Sequence, residues 1–137
     1  MIHRAGVQDF DFLRRAQAAN GDLEQFSDEE IFNALGAGLI EYYILERPDA
    51  KMGVGVLRGF AGVTLVAWYR EGCSSGLTAD AVELLSYVRS KLNPNDRIGL
   101  DVHMSNPLYD KLVRFYRRLG FKESATRMTL GGVSSAV

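Results

Sequence analysis

The stretch from Arg97 to Phe121 constrains this chain more than any other. From Arg97 to Met104 the side chains alternate: Ile98, Leu100, Val102 and Met104 fall in one phase, and Gly99, Asp101 and His103 in the other. A period of two is the signature of a strand with one apolar face. Asn106 stands where an N-cap belongs, and Pro107 at the first helical position, where its missing N–H costs nothing. Leu108, Leu112, Phe115 and Leu119 then recur at helical spacing, with Asp110, Lys111, Arg114, Arg117 and Arg118 on the other side. Gly120 supplies the left-handed residue that ends a helix, and Phe121 folds back on the last turn.

The rest of the chain arranges itself around this unit. Met1–Gly6 reads as a short strand and Asp9–Ala19 as a helix stopped by Asn20-Gly21. Ser27 and Glu30 form a capping box for a second helix, with Phe26 placed to staple onto Ile31 and the end near Gly36. Leu39–Glu46, Met52–Arg58 and Val63–Tyr69 read as three antiparallel strands, the last apolar on both faces and so central in a sheet. Gly53 and Gly55 share one face of the middle strand, where glycine admits a close neighbour. Thr78 is the expected cap of a third helix carrying Ala81, Leu84, Leu85, Val88 and Leu92, with Asp80 and Glu83 early and Arg89 and Lys91 late to complement the dipole. Lys122–Leu130 closes the pattern as a last strand. The order β-α-α-β-β-β-α-β-α-β is an α/β arrangement on a mixed sheet, with Val63–Tyr69 and Arg97–Met104 as parallel neighbours. Residues 1–131 read as one domain and 132–137 as a flexible tail.

Composition narrows the function classes. An apolar share of 47% and a charged share of 24% are ordinary for a globular domain. A net charge of −1 argues against nucleic acid or a membrane surface as a partner. Residues 1–69 hold six Lys/Arg against ten Asp/Glu and residues 70–137 ten against seven, which reads as an anion-attracting half or as solvated helix faces. One cysteine forbids an internal disulfide and fits a reducing, cytoplasmic setting. No signal peptide or membrane span is legible.

Two regions could carry chemistry. The loop Arg70–Leu77 precedes a helix N-terminus at the carboxyl end of a central strand, where free N–H groups attract phosphate; it reads equally as an ordinary connection. Asp101 and His103 share the polar phase of an interior strand and need partners or a wet cleft; His103 titrates near neutrality. Cys73 has no identifiable partner for nucleophilic work, His3 reads as a strand-edge residue, and no metal-ligand spacing is present.

The run Asn106-Pro107 … Phe115-Tyr116-Arg117-Arg118-Leu119-Gly120-Phe121 resembles the C-terminal signature of the GCN5-related N-acetyltransferases (GNAT), and Ile2-His3-Arg4-Ala5 … Asp9-Phe10 … Leu13 is similar to their first strand and helix. The resemblance implies acetyl-coenzyme A as cosubstrate and direct attack of a primary amine, on a small molecule or a protein lysine or N-terminus, on the thioester. It implies Tyr116 as the acid that protonates the departing thiolate. The family's base is commonly a Glu near the strand Val63–Tyr69, which has none; His103, Glu41, Glu46 and Asp101 are the candidates. The backbone of Val66, Ala67 and Trp68 would hold the pantetheine arm and polarise the acetyl carbonyl. Gly72, Ser74, Ser75 and Gly76 would cradle the pyrophosphate, with Asn106 nearby, although Glu71 falls where a cation or amide is usual and Ser74 where a glycine is usual. Asn106 also lies farther before Tyr116 than in the family pattern, which implies a helix one turn longer at its start. The chain also resembles small phage-encoded proteins with degenerate acetyltransferase-like sequences, internal virion proteins among them. That resemblance implies an inactive structural or interaction protein, with Lys111, Arg114, Arg117, Arg118 and Lys122 as a contact surface for protein or nucleic acid, or a solvated helix face. A homodimer or larger assembly is left open.

Overall fold

The computed structural model of the chain describes residues 1–19, 27–38, 41–59, 62–72, 75–102, 104, 107–124 and 127–130. Strand β1 (Ile2–Arg4) leads through a 3-10 turn at Val7–Asp9 into α1 (Phe10–Ala19) and α2 (Asp28–Gly36). Then come β2 (Glu41–Glu46), β3 (Ala50–Arg58), β4 (Gly62–Gly72), α3 (Leu77–Ser90), β5 (Arg97–Asp101), α4 (Tyr109–Arg118), β6 (Lys122–Ser124) and β7 (Arg127–Leu130). All seven strands form one sheet in the order β1-β2-β3-β4-β5-β7-β6. Every neighbouring pair is antiparallel except β4 with β5, which is parallel. The α/β mixed sheet is thus the expected one, with its last strand folded into a hairpin.

Local chemistry explains most boundaries. The Ser27 hydroxyl accepts from the Glu30 N–H at 3.2 Å, and the Glu30 carboxylate accepts from the Ser27 N–H at 3.0 Å, the reciprocal capping box. Phe26, its expected staple, lies outside the described residues. At the end of α4 the Phe121 N–H donates to the Tyr116 carbonyl and the Gly120 N–H to the Arg117 carbonyl, each at 3.0 Å. With Gly120 at φ +98° this is a Schellman stop, and its customary apolar contact is Tyr116 against Phe121, ring centroids 5.7 Å apart.

Other boundaries moved. The helix α4 starts at Tyr109 with Leu108 as its N-cap, not at Asn106-Pro107, so the extra turn expected at its start is absent. The helix α3 is capped by Gly76 in a left-handed conformation (φ +79°) rather than by Thr78. The strand β5 ends at Asp101, leaving Met104 exposed. The strand β4 continues through Arg70, Glu71 and Gly72, which had read as loop, because all three pair with β3 (Met52↔Arg70, Lys51↔Glu71, Ala50↔Gly72).

Two apolar layers cover the sheet. Val54, Val56, Val63, Leu65, Ile98 and Leu100 pack with Leu84, Val88, Val113 and Tyr116 of α3 and α4 on one face. Phe12, Leu13, Tyr42 and Ile44 pack beneath α1 on the other. Burying roughly a score of aliphatic and aromatic side chains this way, each worth about 1.5–3 kcal/mol, opposes the chain's conformational entropy.

β4 and β5 meet at one tight point. A Cβ on Gly62 would lie 2.1 Å from the Arg97 carbonyl oxygen and 2.6 Å from the Arg97 nitrogen, backbone atoms that cannot turn aside. Gly62→Ala is therefore expected to lower unfolding free energy by about 2 kcal/mol or more in urea titration, whereas Gly36→Ala, whose Cβ would meet nothing within 4 Å, changes it by less than about 0.5 kcal/mol.

Candidate functional site

The parallel pair stops almost as soon as it starts. Only Gly62↔Arg97, Val63↔Ile98 and Thr64↔Gly99 are in register. The β4–β5 register ends at Thr64↔Gly99, while β4 runs on to Gly72 in register with β3. In an open sheet such a parting at the carboxyl ends of parallel strands is where ligands enter.

A bulge shapes β4 beside the parting. Tyr69 pairs with Gly53 and Val66 with Gly55, so Ala67 and Trp68 together oppose Val54. The extra residue inverts the alternation. Val63 and Leu65 face α3 and α4, and after the bulge Trp68 does so, while Ala67 and Tyr69 lie on the α1 side. Ala67 sits at φ +52°, a conformation that a residue with a Cβ adopts at a cost of ~1 kcal/mol or more. Its carbonyl accepts a hydrogen bond from the buried Tyr42 hydroxyl at 2.8 Å. Burial raises the Tyr42 pKa far above its ordinary value, so the phenol stays a donor.

At the far end of β4 stands the start of α3. Its N-cap is Gly76, which has no side chain to cap the first turn, and a Cβ there would meet nothing within 4 Å. Arg70 ties loop to helix: its Nη2 donates to the Ser75 carbonyl at 2.8 Å and to the Asp80 carboxylate at 3.1 Å. Arg47, from the β2–β3 turn, donates to the other Asp80 oxygen at 3.0 Å and also bonds Glu83. Burial pushes the Asp80 pKa up, but hydrogen bonds from Arg47 and Arg70 outweigh it and hold the group below its ordinary value.

Glu71 is not the loop residue it was expected to be. Its carboxylate lies toward α1, bonded by Arg15 and by the Tyr69 hydroxyl at 2.8 Å. The Arg15 hydrogen bond is the largest influence and lowers the Glu71 pKa. The cation beside the loop is its neighbour, Arg70. Gly72 (φ +100°) meets protein backbone: a Cβ there would lie 2.2 Å from the Asp49 carbonyl oxygen.

The remaining candidates are spread unevenly. His103, Ser74 and Asn106 lie outside the described residues, as does Cys73. Tyr116 is buried in the α3–α4 layer between Phe115 and Phe121, and desolvation pushes its pKa up to about 12. Asp101 is exposed at the end of β5. Glu41 is engaged by Arg58 at 2.6 Å and Tyr43 at 3.0 Å; burial raises its pKa, but these bonds outweigh it and hold the group below its ordinary value. Glu46 lies 3.3 Å from Lys51. Glu46 also belongs to a group with His3 and Asp9 whose ligand atoms fall within 4.8 Å of one another, a juxtaposition that sequence spacing did not suggest. The Lys51 ammonium supplies that group with a cation, 3.9 Å from Asp9. Sequence reading also missed Arg47 and Asp80 as a pair, because 33 residues separate them.

No protein-family model and no curated protein sequence matches the chain. Solved structures do. Arabidopsis thaliana Naa50, in complex with the bisubstrate analogue CoA-Ac-MVNAL, aligns with a TM-score of 0.51 at 12% identity, over 93% of this chain and 95% of that one. A protein from Exiguobacterium sp. 255-15 assigned as an acetyltransferase gives 0.52 at 18% identity, over 96% and 93%. The aminoglycoside acetyltransferase meta-AAC0020 from an uncultured soil metagenomic sample, in complex with trehalose, gives 0.53 at 12% identity, over 100% and 95%. The chain therefore has the GNAT fold, as the Phe115–Phe121 signature implied. Among the described residues no helix is long and apolar enough to cross a membrane.

The Arg47–Asp80–Arg70 cluster makes a pH prediction. A carboxylate whose pKa is depressed on folding stabilises the protein above its unfolded value, near 3.8, and loses that contribution as pH falls through and below it. Asp80→Asn is expected to cost roughly 2–3 kcal/mol at pH 7 and markedly less at pH 3, read from urea midpoints across that range.

Proposed function

We propose that this protein transfers the acetyl group of acetyl-coenzyme A to a primary amine. The observation that carries the reading is the three-residue β4–β5 pairing that gives way beside a helix N-terminus whose N-cap is glycine. A thioester on a long anionic handle suits such a site: apolar strands on either side, and N–H groups at its end for the diphosphate. Ser74, Ser75 and Gly76 with the first turn of α3 take the pyrophosphate, and Arg70 beside them supplies positive charge. The backbone of Val66, Ala67 and Trp68 takes the pantetheine amides and the acetyl carbonyl. The Glu71 carboxylate does not oppose this, because Arg15 neutralises it on the α1 side.

In the reaction the amine nitrogen bonds to the thioester carbonyl carbon and the C–S bond breaks. Tyr116 donates its proton to the sulfur, a role supported by burial, which keeps the phenol protonated at neutral pH. His103, on the chain just beyond β5, takes the proton lost by the nitrogen. Asn106, three residues later in the sequence, helps to bind the donor. The likeness to Naa50, solved with a peptide-bearing analogue, and to an aminoglycoside acetyltransferase supports an amine acceptor, a protein N-terminus or lysine or a small molecule.

Calorimetric titration with acetyl-coenzyme A is expected to give 1:1 binding in the micromolar range; no heat at millimolar ligand would remove the enzymatic reading and leave an interaction protein on this fold. With an amine acceptor identified, Tyr116→Phe is expected to lower kcat about 100-fold while changing the KM for acetyl-coenzyme A less than about threefold. The Phe ring retains the packing against Phe121, so unchanged turnover would refute the acid assignment.

A further inference from the structure

Tyr42 lies on β2, yet its hydroxyl bonds to β4, one strand beyond its neighbour β3. It spans that distance because β3 carries glycines where its ring crosses. A Cβ on Gly53 would lie 2.3 Å from Tyr42 Cε1 and 2.8 Å from its Oη, and one on Gly55 3.3 Å from its Cδ2. Phe12 of α1 closes over the ring, centroids 6.4 Å apart at 66°. The hydroxyl thus arrives at one atom, the carbonyl oxygen of Ala67, at 2.8 Å. Ala67 is the sole described residue other than glycine with positive φ.

These features have one geometric result. The C=O and N–H of a trans peptide point in opposite directions within its plane. Fixing the Ala67 carbonyl toward Tyr42 therefore fixes the Trp68 N–H away from it. We infer that Tyr42 is a positioning residue for the acyl-binding segment of β4: its hydroxyl holds the Ala67 carbonyl, and with it the Ala67–Trp68 peptide, in the bulged, positive-φ conformation that receives the acyl donor. This rests on the acyltransferase reading for its ligand, though not for its geometry. It gives the paired glycines of β3 a purpose: they vacate the path of a tether that passes under one strand to hold another.

The test uses the full-length chain. Tyr42→Phe keeps the ring in its cradle and deletes only the donor. Its amide exchange at Ala67 and Trp68 is expected to quicken at least tenfold relative to wild type, with exchange in α3 and α4 unchanged. Acetyl-coenzyme A affinity is expected to fall about tenfold, whereas adenosine 3′,5′-bisphosphate, which carries no thioester or pantetheine arm, binds as it does to wild type. Adding Ala67→Gly, which removes the cost of positive φ, is expected to restore most of the affinity. Unchanged exchange at Ala67 and Trp68 would overturn the tether, and so would equal weakening of both ligands, which marks a general loss of structure. If wild type binds no acetyl-coenzyme A, the acyltransferase reading and the positioning role for its ligand both fall. The exchange comparison then decides whether the tether itself exists.

Discussion

The structure depends on a sheet that is continuous on one side of β4 and interrupted on the other. From Val63 to Gly72 β4 pairs with β3, broken only by the bulge, and it pairs with β5 over three residues. The three-residue contact is made possible by Gly62, which lets the two backbones touch. Beyond it the register between the two strands ends, and each pairs with its other neighbour: β4 with β3, β5 with β7. The helices α3 and α4 cover this region with one shared apolar layer. The strands on either side of that parting are thus held in register by the rest of the sheet.

Charge is arranged to the same end. Arg70 and Glu71 are consecutive on β4 and so project to opposite faces. On one face Arg70 meets Asp80 and Ser75, joining β4, the loop and α3. On the other Glu71 meets Arg15 and Tyr69, joining β4 to α1. The two contacts differ in weight. The Arg15–Glu71 pair is half exposed and contributes little. Asp80 is nearly buried between two guanidinium groups, where losing one partner leaves a desolvated charge. The end of β4 is anchored from both sides, and the anchor on the α3 side is the stronger.

What the sequence revealed follows from the range over which each signal acts. The Ser27–Glu30 box and the Gly120–Phe121 stop are decided within six residues, and both formed as read. The apolar run Val63–Tyr69 marked a central strand correctly, yet being apolar on both faces it concealed the change of phase at Ala67. Arg70 and Glu71 looked like loop because their partners, Asp80 and Arg15, are ten and 56 residues away and invisible to local pattern. The β6–β7 hairpin was missed because the segment around 124–127 carries no Gly, Pro, Asn or Asp to announce a turn. Strand counting put Val66, Ala67 and Trp68 late in a central strand, where β4 has them, but did not reveal the bulge at Ala67 and Trp68. Arg47, Asp80 and Tyr42 act across strands, and nothing in their own neighbourhoods distinguishes them.

Tyr42 and Tyr116 show how burial can serve two ends with one side chain type. Each phenol is desolvated, and each is thereby kept protonated well past neutrality. Tyr42 uses its proton at once, on the carbonyl of Ala67, the residue at positive φ. Tyr116 has no hydrogen-bond partner for its hydroxyl among the described residues, and its ring already serves the α4 stop through Phe121. A residue whose ring has a packing role and whose hydroxyl does not is one in which stability and chemistry are separable. Phenylalanine would satisfy the first and not the second. That separation means that the aromatic character of position 116 follows from the fold alone, whereas its oxygen has no packing task.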